Sequence, residues 1–225
     1  DIRWMGGVRK YMPITWITFL LGNLALIGTP FFSGFYSKDA IIEAVHASNL
    51  PASGFANFAV LAGVFITAFY SFRLYFIVFH GKERYDQNPD AHHDDHHGHD
   101  DHGHGHDAKP HESPLVVTGP LMLLAIPSVV IGAIALAPMV LGDFFKDAIY
   151  VDGSKHGAMA ELAEQIHGWV PMALHGFTAA PFWLALAGVV VSYVFYMVKP
   201  EIPAAIMAFS KKIGLYQVLE GKYGV

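Results

Sequence analysis

Lys38, Asp39 and Glu43 stand in "PFFSGFYSKDAIIEA", directly after one of the most apolar runs of the chain. An amine kept from bulk water beside carboxylates can take up and release a proton near neutral pH. Asp39 and Glu43, spaced i and i+4, share a helix face about 100° round from Lys38. A change in the lysine–acid distance would then load and unload that proton. Arg73, in "FYSFRLYFIVFHGKER", is a second cation at membrane depth. It lies about 10 Å from the helix end at His80, within reach of a guanidinium that snorkels to the interface. The alternative is a fixed positive charge turned to the bundle interior. His46 and His80 fall near span ends and read as interfacial groups.

A third group is the run of His92, His93, His96, His97, His99, His102, His104, His106 and His111, which alternate with Asp and Gly. Imidazole and carboxylate can bind Zn²⁺ or Ni²⁺. No spacing in the run selects one geometry, so the binding expected there is adventitious, with no dedicated metal site.

These groups must be positioned by membrane-spanning helices. The chain is 53% hydrophobic and only 15% charged, with a mean hydropathy of +0.37. Four apolar stretches stand out: 14–35, 55–79, 115–141 (with Pro120 and Pro127 inside) and 179–198. Each has at least about 20 residues, enough to cross about 30 Å of hydrocarbon. The expected fold is an all-α, polytopic transmembrane helix bundle with four spans. Residues 1–81 hold two spans, and 82–114 form a polar His/Asp-rich loop expected to be disordered. Residues 115–199 hold two more spans with a loop at 142–178, where 157–169 suggests a short helix. Residues 200–225 form an amphipathic surface segment.

The absence of cysteine excludes disulfides, Fe–S clusters and thiolate metal sites. No basic patch points to nucleic acid. Ten Lys and Arg side chains fall on the side of the His-rich loop and two on the other, which makes the first side cytoplasmic and loop 142–178 periplasmic. The chain opens on Asp1 and ends on "KYGV", and reads as a piece of a longer polypeptide.

Whether Lys38 sits at the interface or inside depends on the first span. An unbroken helix from Ile14 to Ser48 would be about 52 Å long, too long for one crossing unless it protrudes. Gly28, Pro30 and Gly34 interrupt the run. Pro30 removes a donor and disfavours helix at Thr29. A break over Thr29–Gly34 draws Lys38 back toward the middle of the bilayer. Broken helices are tolerated there when they line a cavity.

The stretches "MGGVRKYMPITWITFLLGNLALIGTPFFSGFYSKDAII" and "FRLYFIVFHGKER" resemble the antiporter-like subunit L family of proton-pumping NADH–quinone oxidoreductase, respiratory complex I. The likeness is nearly continuous over the first two spans. Spans three and four agree in hydropathy, length and order, and "YQVLEGKYGV" is similar to the family's stretch before its long lateral helix. The resemblance implies a lysine on a discontinuous helix, in an "FSKDEI"-like motif, at the end of a polar axis through the membrane arm. That position is Lys38, with Asp39 as its acidic neighbour. Ala40 stands where the family often has Glu. Further implications are other membrane-arm subunits as partners, a bacterial inner-membrane location, and NADH, FMN, Fe–S and quinone sites in partner subunits. This chain would then be a non-redox subunit of a translocase, with no cofactor of its own.

The large subunit of a multisubunit Na⁺/H⁺ antiporter has the same fold and is the alternative. A divalent-metal transporter would need His and Asp pairs inside the spans, and none is found. A structural scaffold would leave Lys38 at the interface.

Overall fold

The computed structural model describes residues 1–87, 110–145, 147–149, 157, 166 and 168–224. Among these the chain is helical with no strand. The sequence pattern explains where each helix starts and stops, and the first one matters most.

Helix α1 (Pro13–Ile27) has Pro at its first turn and no side-chain cap from Met12. Its free first-turn donors are satisfied from a distance. Glu112 accepts the Ile14 N–H at 2.8 Å and the Thr15 hydroxyl at 2.7 Å. A carboxylate there also meets the positive end of the helix dipole. Partial withdrawal from water pushes the Glu112 carboxyl up. The hydrogen bonds from Thr15, Ile14 and Ser113 outweigh that and hold it below the usual carboxylate range.

A depressed carboxyl stabilises the fold above its unfolded value, and that contribution is lost as pH falls through the folded one. Glu112→Ala is expected to cost about 1 kcal/mol of helix stability. Hydrogen exchange should read this as a roughly fivefold faster rate at the amides of the first turn of α1. An unchanged rate would mean that the cap contributes nothing.

The helix ends where glycine allows it. Gly28 adopts φ 79°, ψ 45°. Its N–H donates to Ala25 O at 3.2 Å, and the Thr29 N–H to Leu24 O at 3.0 Å. This left-handed cap with a returning amide is a Schellman closure. Pro30 follows, and Phe31 has φ 73°. The chain re-enters helix as α2 (Ser33–His46), which buries Phe35, Tyr36, Asp39, Ala40 and Ile42. The interruption therefore runs from Gly28 to Phe32. It begins one residue earlier than expected, and Gly34 is inside α2.

Helix α3 (Ser53–Tyr75) is prolonged by a π turn, Phe76–His80. Helix α4 (Leu115–Leu136) runs through both prolines and ends in a π turn, Ala137–Leu141. A short α5 (Trp169–Gly176) precedes α6 (Ala180–Tyr193), itself prolonged over Val194–Val198. Ser53–His80, Leu115–Val140 and Ala180–Val198 are long and apolar enough to cross a membrane, and α1 is a shorter apolar helix. With α2 it forms the discontinuous member of the bundle. Helices α7 (Glu201–Lys212) and α8 (Leu215–Glu220) bury no residue. The expected helix at 157–169 lies almost wholly outside the described residues, whereas α5 falls in what the sequence pattern left as loop.

Small residues set the packing, as in membrane bundles generally. Helix α3 packs along α6, where a Cβ on Gly188 would come within 2.6 Å of the Phe65 carbonyl. Helix α4 lies against α1 and α2, with the Cβ position of Gly132 2.6 Å from Ser33 Cα. Helix α5 meets α2 where Gly176 faces the Phe35 ring. Trp16 Nε1 donates to the Tyr75 hydroxyl at 2.6 Å and ties α1 to α3.

Candidate functional site at the helix break

The last carbonyls of a helix lack intrahelical partners. At the end of α1, Leu24 and Ala25 are served by the amides of Thr29 and Gly28. The next carbonyl is taken by a side chain. Lys38, on the second turn of α2, reaches back and its Nζ donates to Leu26 O at 3.2 Å. The ammonium thus stands at the negative end of the α1 dipole. Its stem lies along the break, with Cδ 3.2 Å from where a Cβ on Gly28 would be. Lys38 is half-buried.

Asp39 is 6% exposed. It shares with Lys38 a cavity of about 10 Å³ whose other walls include Ile27, Phe35, Ile42, Val64 and Phe182. That volume is at the lower limit for a single water. Glu43, half-buried one turn on, and His175 on α5 are the ionisable groups whose charges act on Asp39. Among the described residues the ion pairs are Arg3–Asp1 at 2.6 Å and Lys10–Glu83 at 3.1 Å. Lys38 is bound to a neutral carbonyl, and it forms no ion pair with Asp39 or Glu43. Of the three residues singled out in the sequence, Lys38 and Asp39 share the cavity beside the broken end of α1, and Glu43 lies one turn further along α2 outside it.

Arg73 stands apart. It is exposed on α3 with its guanidinium 5.4 Å from the Tyr196 ring centroid. Nine residues separate it from Val64, the α3 residue in the Lys38 cavity, or about 14 Å along the helix. His46 is exposed at the end of α2, 3.4 Å from Asn57 Nδ2. His80 is half-buried, with its ring 5.1 Å from that of Tyr75 and 6.2 Å from that of Trp16. Its Nε2 is buried without a partner among the described residues.

Of the His-rich run only His111 is described, and it is exposed. His92, His93, His96, His97, His99, His102, His104 and His106 lie outside the described residues. Among those described, no group of three or more His, Asp or Glu is placed to hold a metal.

Two residues on the helices around the site were not read from the sequence. His175 ends a helix too short to register as a span, and its one local signal is the adjoining Gly176. Tyr36 is 2% exposed with a buried hydroxyl that has no partner among the described residues. It reads in sequence as one more apolar-face aromatic.

Residues 1–69 match the family described as NADH:quinone oxidoreductase/Mrp antiporter, TM. Over 223 residues the chain is 55% identical to NADH-quinone oxidoreductase subunit L of Neisseria meningitidis serogroup A. It belongs to the NADH:quinone oxidoreductase/Mrp antiporter family. The family match takes in all of α1 and α2 and most of α3, so the helix break and Lys38 lie within it. The Neisseria alignment covers 99% of this chain and 33% of that relative. NAD(P)H-quinone oxidoreductase chain 5 of Picosynechococcus is 38% identical over 241 residues, covering 99% of this chain and 32% of its own. Subunit L of Mycobacterium tuberculosis is 32% identical over 200 residues, covering 89% and 26%. The chain thus spans about a third of the length of the first of the curated relatives it matches.

Proposed function

We propose that this antiporter-family chain is part of the proton-translocating membrane machinery of an NADH–quinone oxidoreductase, with Lys38 as a proton carrier. The observation that carries this reading is the contact of Lys38 Nζ with Leu26 O at an interrupted helix. A carbonyl holds an ammonium without neutralising it, so the charge remains sensitive to whatever else approaches. Asp39 and Glu43 are the modulators. Drawn closer, they favour the ammonium; moved away, they favour release of the proton. Arg73 is a lesser candidate, because its guanidinium faces Tyr196. Redox chemistry belongs to partner subunits that carry NADH, FMN, Fe–S and quinone sites, since this chain offers no thiolate for a cluster. The membrane is a bacterial inner membrane with the His-rich loop in the cytoplasm, by the charge asymmetry of the loops.

A second reading has a specific support: the family description names Mrp antiporters as well. Na⁺/H⁺ exchange would make translocation depend on Na⁺, and proton pumping driven by quinone reduction would not. The test of the leading reading is substitution of Lys38 in the assembled complex, with proton translocation and electron transfer measured separately. The His-rich loop has no part in the route. Replacing residues 88–109 by a Gly/Ser linker of equal length is expected to leave the protons moved per electron unchanged. A marked loss would give the loop a role.

A further inference from the structure

The turn before α1 and the turn after α3 are both basic, and glycine lets them meet. A Cβ on Gly6 would overlap the Lys82 carbonyl, and one on Gly7 would come within 2.9 Å of Glu83 Cγ. The Tyr85 hydroxyl donates to Gly6 O and fastens the contact. Arg9 and Lys10 are thereby brought to Lys82 from far away in sequence. Together with His80 and Glu83 they wall an open cavity of about 320 Å³.

We propose that this cavity binds the phosphate of an anionic phospholipid headgroup at the end of the bundle where α3 stops. The inference does not depend on the carrier reading of Lys38.

Charge selects the ligand. Three cations and one carboxylate line the wall. The carboxylate is already engaged, because Glu83 accepts from Lys10 Nζ at 3.1 Å and from the Tyr11 hydroxyl at 3.3 Å. Arg9 and Lys82 are exposed and have no ion-pair partner among the described residues. The negative end of α3 offers them only a fraction of a charge, so both keep an excess for an anion. A phosphodiester has two unesterified oxygens. The guanidinium can take one and the ammonium the other. His80 Nε2 is buried without a partner among the described residues. With hydrogen on that atom the ring donates a further bond. At about 30 Å³ per molecule the cavity has the room of about ten waters, enough for a headgroup phosphate with part of its hydration.

Depth selects the source. His80 ends the membrane-crossing helix Ser53–His80, and α1 begins at Pro13. The cavity therefore lies where both helices leave the apolar layer, at the level of the headgroups. Tyrosine and tryptophan favour that level, and they collect here. The rings of Tyr11 and Tyr85 are 6.5 Å apart, and that of Trp16 is 6.2 Å from the His80 ring. A lipid phosphate resides at this depth, whereas a soluble one has no reason to prefer it.

The test is amine labelling of the assembled complex in lipid nanodiscs, where both faces are open to reagent. A small water-soluble acylating reagent attacks only the neutral amine, and peptide mass spectrometry reads each lysine. The discs hold phosphatidylcholine alone or mixed with phosphatidylglycerol. Lys212, exposed on α7, is the reference for the general surface charge. A phosphate beside Lys82 favours its ammonium form. Phosphatidylglycerol is therefore expected to slow Lys82 roughly fivefold more than Lys212, the weight of one charge contact at a membrane surface. Arg9→Gln should abolish that excess. Equal slowing at the two lysines overturns the proposal, and so does an excess that persists in Arg9→Gln. Protection by inorganic phosphate over pure phosphatidylcholine would assign the cavity to a soluble anion instead. Protection of Lys82 in pure phosphatidylcholine, with no further change, would place an acidic protein segment there and equally overturn the lipid. Should Arg9→Gln fail to assemble, Lys82 against Lys212 in the natural chain decides the matter.

Discussion

Lys38→Ala in the assembled complex is expected to lower proton translocation per electron by on the order of tenfold or more, the scale of a lost acid–base group. Electron transfer should be affected less if the redox centres lie in partner subunits, as proposed. The substitution removes two things together. It deletes the amine proposed to carry the proton, and it leaves Leu26 O without the donor that meets it at 3.2 Å. The second loss is local, since Gly28 and Thr29 still close the end of α1 through Ala25 and Leu24. Assembly should therefore survive. Pumping at the unaltered ratio, in a fully assembled complex, would remove Lys38 from the mechanism.

Gly34→Val is expected to act on the fold rather than on the carrier. A Cβ at position 34 would overlap the Ala25 carbonyl of α1. The obstacle is backbone, so no side-chain rotation relieves it, and the two halves of the discontinuous helix must separate. Overpacking in a fixed environment costs about 1–3 kcal/mol, and a β-branched side chain against a backbone carbonyl belongs at the upper end or beyond. The expected result is a large drop in assembled complex, with Gly34→Ala intermediate. Normal assembly of Gly34→Val would show that α1 and α2 are not held in this close approach.

The break itself was legible from Gly28, Pro30 and Gly34, because each disturbs a helix for a local reason. Their individual roles were not equally legible. Gly28 and Pro30 end α1 as their backbone chemistry dictates. Gly34 was read as a third breaker, yet it lies inside α2 and is needed for space against Ala25. Glycine permits both uses, and only the packing partner tells them apart. That Lys38 shares a helix with Asp39 and Glu43 followed from their spacing. Its partner did not, because Leu26 O is a backbone group brought near by the fold-back of α2.

Arg73 illustrates the opposite limit. An uncapped cation in an apolar run can face inward or outward, and hydropathy gives no azimuth for a helix apolar on all sides. In the fold Arg73 is exposed and its guanidinium stands over the ring of Tyr196, more than a hundred residues away in sequence. Helix α5 escaped notice because eight residues with Pro171 among them carry too little periodicity. His175, which that helix brings toward Asp39, escaped with it.

The most direct measurement of the central claim is the number of protons translocated per electron by Lys38→Arg in the assembled complex. Arginine keeps the positive charge and the donors for Leu26 O, but it does not give up its proton at any relevant pH. If Lys38 carries protons, Lys38→Arg assembles and fails to pump, as Lys38→Ala does. If the arginine variant pumps at the unaltered ratio, position 38 needs only a fixed charge at the end of α1, and the carrier account is wrong.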